Sequence, residues 1–205
     1  MINCHNVKVG HNSENILIEN VNFNFTLADY PKRIILIVGE NGIGKTTFLK
    51  TLATLLGPVD GKVEIDKLSE ISYLNAETLH LFAHLRGREI LDFFESLNGA
   101  KVFNRLYEVE LFLKVLETKY SAMSSGMKQL LKLAISITEN KKIILWDEPF
   151  KSLSEKNKDV VFELIKEFSK DRIFLITSHE KISLDTSDVH LLKISKGKIE
   201  MKDDL

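Results

Sequence analysis

One cysteine, Cys4, stands among 205 residues, so the chain can form no internal disulfide. No group of Cys and His residues has zinc-ligand spacing, and the two absences together suit a reducing compartment with Cys4 as structural filler. Long hydrophobic runs are missing as well. The longest, residues 34–38 and 143–146, fall far short of the roughly 20 apolar residues that cross a bilayer, so any membrane role must come through a partner. The N-terminus has no long apolar core behind a basic start and does not read as a signal peptide, so the mature chain is expected to begin here. Nor does charge of one sign dominate. Lys and Arg number 28 against 29 Asp and Glu, a formal net charge of -1 with the signs interspersed, and nucleic acid is not an expected partner. There is no internal repeat and no low-complexity linker, and 44% hydrophobic residues at this length fit one compact domain over residues 1–205.

What is present alternates between strand and helix patterns. Ile16, Ile18, Val21, Phe23 and Phe25 predict strands of an early antiparallel β layer over residues 16–27, interrupted at Asn20. Residues 33–38 are a nearly all-apolar run ending at a glycine, as in a parallel strand buried on both faces, and a helix is predicted from Lys45 to about Leu56. Gly57, Pro58 and Gly61 punctuate its end, after which residues 62–65 and 69–74 are expected to return as strands of the β layer. From Leu79 to Leu116 the apolar spacing becomes helical, as in Ile90, Leu91, Phe93, Phe94 and Leu97. Buried-type strands at 142–146 and 172–176, separated by a helix over 157–168, favour a parallel α/β core. A weak strand pair, 189–194 and 198–201, surrounds the turn Lys196-Gly197.

Between the first buried strand and its helix lies Gly39-Glu40-Asn41-Gly42-Ile43-Gly44-Lys45-Thr46, which matches G-x-x-x-x-G-K-[ST] in the setting that this phosphate-binding loop requires. Glycines let the backbone wind tightly, N–H groups point inward, and the helix that follows presents the positive end of its dipole. Lys45 adds a point charge for the β- and γ-phosphates of a nucleotide. Thr46 supplies a hydroxyl for Mg2+, and Thr47 can reach a further phosphate oxygen. Ile143-Ile144-Leu145-Trp146-Asp147-Glu148-Pro149 is an apolar strand that ends in two adjacent carboxylates, at the strand end where ligands bind in open α/β sheets. Asp147 is the expected Mg2+ partner, and Glu148 the candidate to orient or polarise an attacking water.

A third motif stands between these two: Tyr120-Ser121-Ala122-Met123-Ser124-Ser125-Gly126-Met127-Lys128-Gln129, followed by a helical run. With the phosphate loop and Asp147-Glu148, in this order and spacing, it resembles the signature of ABC-family ATPases over nearly the whole chain. The family usually reads L-S-G-G-Q there, so Ser124 and Gly126 are retained. The resemblance implies an α/β, P-loop, RecA-like core with an antiparallel β subdomain and a short α-helical subdomain, here about residues 77–125. It implies that ATP and Mg2+ bind at a head-to-tail homodimer interface, where Ser124, the Gly126 backbone and the helix dipole clamp the γ-phosphate held by a second copy. Taken alone, a Ser-Gly helix cap is the favoured explanation of those two residues on capping preferences. His179 matches the switch histidine that contacts the γ-phosphate, and an imidazole that titrates near pH 7 suits such a contact. Lys45, Glu148 and His179 are then the residues that act in hydrolysis.

Three places depart from the family pattern. Glu77, aligned through Leu85-Arg86-Gly87-Arg88-Glu89, or alternatively Asn75, takes the place of a glutamine that senses Mg2+ and the transmembrane subunit. Ser154 replaces the aspartate of S-x-L-D, which puts a cross-dimer contact in doubt. His11 is the nearest candidate by position for the aromatic that stacks on adenine. The short build looks like the ATPases of small bacterial exporters, including ABC-2-type and haem-exporter groups. The implied assembly is an ATP-hydrolysing subunit at the cytoplasmic face of a membrane, paired with separate transmembrane permease subunits. Soluble relatives that act on DNA, chromosomes or ribosomes generally need a long coiled coil, a second ATPase domain or a basic surface, and none is visible. A nucleotide-regulated module with negligible turnover is opposed by Glu148 and His179, although Ser154 keeps it open.

Overall fold

The computed structural model describes residues 2–25, 33–67, 70–73, 76–98, 109–178 and 189–202. The chain divides into two compact units, one of Met1–Tyr73, Lys142–Glu148 and Ile165–Leu205, the other of Leu74–Lys141 and Pro149–Leu164. The first unit holds two sheets. Strands β1 (Ile2–Asn12), β2 (Asn15–Phe25) and β4 (Asp60–Ile65) form an antiparallel layer in the order β2-β1-β4. Strands β3 (Ile34–Val38), β5 (Ile71–Ser72), β6 (Ile143–Trp146), β7 (Ile173–Ser178), β8 (Val189–Ser195) and β9 (Lys198–Lys202) form the second sheet in the order β5-β6-β7-β3-β8-β9. All its pairs are parallel except β8 with β9.

Strand β1 does not appear in the sequence pattern because its alternation breaks. Ile2 and Cys4 are buried, and so are Val7 and Val9, which fall in the opposite phase of a two-residue repeat. The register shifts between Cys4 and Val7, and Asn6 there adopts φ 49°, so the extra residue returns both valines to the core face. Across the pair, Asn6 N–H donates to Asn22 Oδ1 at 2.8 Å, and Asn22 Nδ2 donates to Asn6 Oδ1 at 3.0 Å. The interruption expected at Asn20 is a second left-handed residue, φ 52°, inside the continuous strand β2. One expectation is corrected: the strand near residues 69–74 joins the edge of the parallel sheet, with Ile71 opposite Ile143, rather than the antiparallel layer.

Helix α1 (Lys45–Leu52) is buried along Phe48, Leu49 and Leu52 and shares one core with both sheets. Ile35, Ile37, Leu145, Ile173, Leu175, Leu192 and Ile194 meet it from the parallel sheet, and Ile2, Val7, Val9, Ile18 and Val21 from the antiparallel layer. Leu55 and Leu56 fall outside the helix, because Thr54 turns left-handed at φ 57° and ends it early. Phe48 meets Phe23 edge to face, with ring centroids 5.7 Å apart at 88°. Phe48→Ala should destabilise the fold by about 3–5 kcal/mol, read as a lower urea midpoint at unchanged m-value. A loss under about 1 kcal/mol would mean that the core collapses around the missing ring.

In the second unit, helices α2 (Gly87–Asn98), α3 (Glu110–Glu117) and α4 (Ser125–Thr138) pack on one another. Their buried faces include Ile90 and Leu91, Phe112, Val115 and Leu116, and Leu130, Leu131 and Ala134. Helix α5 (Glu155–Phe168) begins in this unit.

Candidate functional site

In the order β6-β7-β3, the loop after β3 and the carboxylates after β6 leave the same end of the sheet, with β7 between them. That end is the carboxyl edge of parallel strands, where α/β sheets place ligands. The loop winds as its glycines allow. Gly42 and Gly44 have φ 78° and 110°, conformations that side chains resist, and a Cβ on Gly44 would lie 3.0 Å from the Leu17 side chain. Gly44 is also the N-cap of α1, which has no side-chain cap hydrogen bond and no acidic residue in its first turn. The first-turn N–H groups and the dipole are therefore available to an anion.

Lys45 is only 5% exposed, and its ammonium is held inside the loop. Nζ donates to the carbonyls of Gly39 at 2.7 Å and Glu40 at 3.0 Å, and an ammonium has three donors, so one remains to reach a phosphate oxygen. Glu40 also accepts from Ile43 N–H. Thr46 Oγ1 donates to Asp147 Oδ2 at 2.8 Å, which ties the loop to the end of β6. Hydroxyl and carboxylate oxygens side by side are the hard donors that Mg2+ prefers, so these residues fit the ion.

The opposite oxygen of the carboxylate is held from β7. Thr177 Oγ1 donates to Asp147 Oδ1 at 2.7 Å and accepts from the Glu148 N–H at 2.8 Å. Glu148 itself turns left-handed at φ 48°, so the backbone leaves the extended path of the strand there. Tyr73, beyond β5, has its hydroxyl pushed up to about 12 by burial and then by the negative charge of Asp147, so it stays neutral at working pH.

Lys45, Thr46, Asp147 and Glu148 are thus brought together in one unit. His11 is exposed near the end of β1, while Leu17 is the side chain that lies against Gly44. Ser124 and Gly126 belong to the other unit, where Ser124 is the N-cap of α4 and its hydroxyl accepts from Met127 N–H at 3.2 Å. The capping explanation therefore applies within a single chain. A Cβ on Gly126 would come 2.8 Å from the Ser152 carbonyl, a close approach that only glycine permits without a shift. The Ser154 carbonyl accepts from Asn157 and Lys158 N–H as α5 begins. Glu77 lies in a 3-10 segment, Ala76–Phe82. Asn75 and His179 lie outside the described residues.

Residues 19–151 match the ABC transporter family. The chain belongs to that family. An uncharacterized ABC transporter ATP-binding protein of Methanocaldococcus jannaschii is 34% identical over 185 residues, covering 83% of this chain and 69% of its own length. ABC transporter A family member 8 of Dictyostelium discoideum is 28% identical over 176 residues, 78% of this chain, but the chain spans only 21% of that protein. An ATP-binding cassette solved as a dimer in a post-hydrolysis state with ADP and Pi superposes with a TM-score of 0.74 at 21% identity, over 98% of this chain and 97% of the other. The P-loop α/β architecture of this ABC chain, with its antiparallel layer and helical unit, is the fold of such cassettes. Thr177 belongs to none of the three sequence motifs. Its signal is a polar side chain ending the apolar run Ile173-Phe174-Leu175-Ile176, where burial demands a hydrogen-bond partner.

Proposed function

We propose that this chain binds and hydrolyses MgATP and thereby energises a membrane transporter. The observation that carries the reading is the bonded line from the phosphate loop to the carboxylates: Lys45 inside the loop, Thr46 on Asp147, and Glu148 directly after it. Residues 39–47 hold the phosphates through backbone N–H groups and the Lys45 ammonium. Thr46 and Asp147 hold Mg2+, which when bound neutralises phosphate charge. Glu148 orients the water that attacks the terminal phosphate and draws its proton, and His179 contacts the same phosphate.

Two copies sandwich the nucleotides head to tail, with Ser124 and Gly126 of each gripping the γ-phosphate held by the other. The solved cassette dimer with ADP and Pi supports this reading. ATP joins the copies and hydrolysis releases them. The work is delivered to separate permease subunits at the cytoplasmic face. Among the described residues no helix is long and apolar enough to cross a membrane. Within the domain of residues 1–205, the helical part, about 77–125, is the arm that meets them. Leu81, Phe93 and Leu97 there are 85%, 44% and 65% exposed, and Phe93 and Leu97 share one helix face, an apolar surface that suits a partner. Glu77 or Asn75 then couples that contact to Mg2+. Purification of the tagged chain from detergent-solubilised membranes should recover polytopic permease subunits and an ATPase activity. Recovery of ribosomal or nucleic-acid partners instead would replace transport with a soluble role.

A further inference from the structure

We propose that Thr177 is a positioning residue of the hydrolytic site, one hydroxyl that fixes both the Asp147 carboxylate and the backbone of Glu148. The inference rests on the nucleotide chemistry proposed above and extends it to a residue that none of the three motifs contains. Topology supplies the first half. Strand β7 lies between β6 and β3, with Trp146 paired to Ile176, so the next residues along, Asp147 and Thr177, come side by side at the carboxyl edge. Leu145 and Leu175 share the core with α1, and the two-residue period carries Asp147 and Thr177 to that same face. On its other side Thr177 pairs with Ile37, one residue before the end of the strand that feeds the phosphate loop.

Hydrogen-bond accounting supplies the second half. A hydroxyl has one proton, and the Thr177 oxygen already accepts from the Glu148 N–H, so that proton goes to Asp147 Oδ1. Thr46 donates to Oδ2 of the same group, so the two hydroxyls grip the carboxylate from opposite sides and set its plane. Thr177 is fully buried, and its β-branched side chain is stiff about χ1, so the grip is rigid. Glu148 needs such an anchor, because φ 48° is a conformation that a non-glycine residue holds only when its surroundings enforce it. One side chain thus sets both the metal-facing carboxylate and the turn that aims the next one.

Thr177→Val keeps the shape and removes the hydroxyl, while Thr177→Ser keeps the hydroxyl. ADP affinity measured by calorimetry with and without Mg2+ reads the site apart from turnover, and kcat and KM for ATP read it in action. The valine variant should bind metal-free ADP as the wild type does and lose roughly tenfold of the tightening that Mg2+ brings. Its kcat should fall roughly 10- to 100-fold with little change in KM, the scale of losing a group that orients a metal ligand. Serine should restore most of both. Should valine fail to fold, Thr177→Cys keeps the volume with a much weaker donor and serves the same comparison. Wild-type Mg2+ tightening and kcat in a folded valine or cysteine variant overturn the proposal, as does a serine variant impaired as much as valine. A wild-type chain that neither binds ADP nor hydrolyses ATP removes the nucleotide reading itself, and this inference with it.

Discussion

Glu148→Gln is expected to bind MgATP about as tightly as the wild type and to hydrolyse it roughly 10²- to 10⁴-fold more slowly, the usual worth of general-base assistance. The separation follows from where the phosphates are held. In the proposed function, binding falls to Lys45, Thr46 and the N–H groups of the loop and first helical turn, and none of these belongs to Glu148. Glutamine preserves the backbone N–H that Thr177 accepts, so the turn at φ 48° survives and only the carboxylate is lost. With release blocked, the variant should run as a monomer without nucleotide and as a dimer with MgATP in size-exclusion chromatography with light scattering. ADP should not support that dimer, since it lacks the γ-phosphate. Hydrolysis at the wild-type rate would take Glu148 out of the mechanism. Slow hydrolysis with no dimer at high protein concentration and low salt would leave the chemistry in place and remove the sandwich for the isolated subunit.

Lys45→Ala should act at the preceding step. Removing a charge-assisted donor to phosphate costs about 1.5–3 kcal/mol, so ATP affinity should fall roughly 10- to 150-fold in equilibrium titration, with hydrolysis falling alongside. A second cost adds to the first. The carbonyls of Gly39 and Glu40 lose the donor around which they are arranged, so the empty loop relaxes before any nucleotide arrives. The comparison with Glu148→Gln is diagnostic: one variant loses affinity, the other turnover. Unchanged ATP affinity in a folded Lys45→Ala protein would be fatal to the phosphate-loop assignment.

The parts of this site that could be read from the sequence are those whose geometry is local. A glycine-rich loop between a strand and a helix, and two carboxylates after an apolar strand, carry their setting within about ten residues, and β3, β6 and the start of α1 lie where the pattern puts them, although α1 stops at Leu52. Thr177 depends on something non-local, the placement of β7 between β6 and β3, and no spacing within the chain encodes that. Strand β1 was hidden because Asn6 shifts the phase of its apolar residues halfway along. The two-residue strand β5 is too short for any periodicity to assign it to a sheet, and only its pairing with Ile143 and Ile144 settles the matter. Ser124 shows the converse limit: one residue fits a helix cap and a trans-acting phosphate contact alike, and a single chain displays the first.

The burial of Cys4 has a practical consequence. The thiol is 2% exposed, and burial pushes it up to about 12, so at neutral pH almost none of it is the thiolate that attacks maleimides or disulfide reagents. The natural chain therefore arrives as a silent background for thiol chemistry. A cysteine introduced at a surface position such as Leu81 would be the single reactive sulfur per copy. Fluorophores, spin labels and cross-linkers could then report pairing and partner contact without first stripping the core of its own residue.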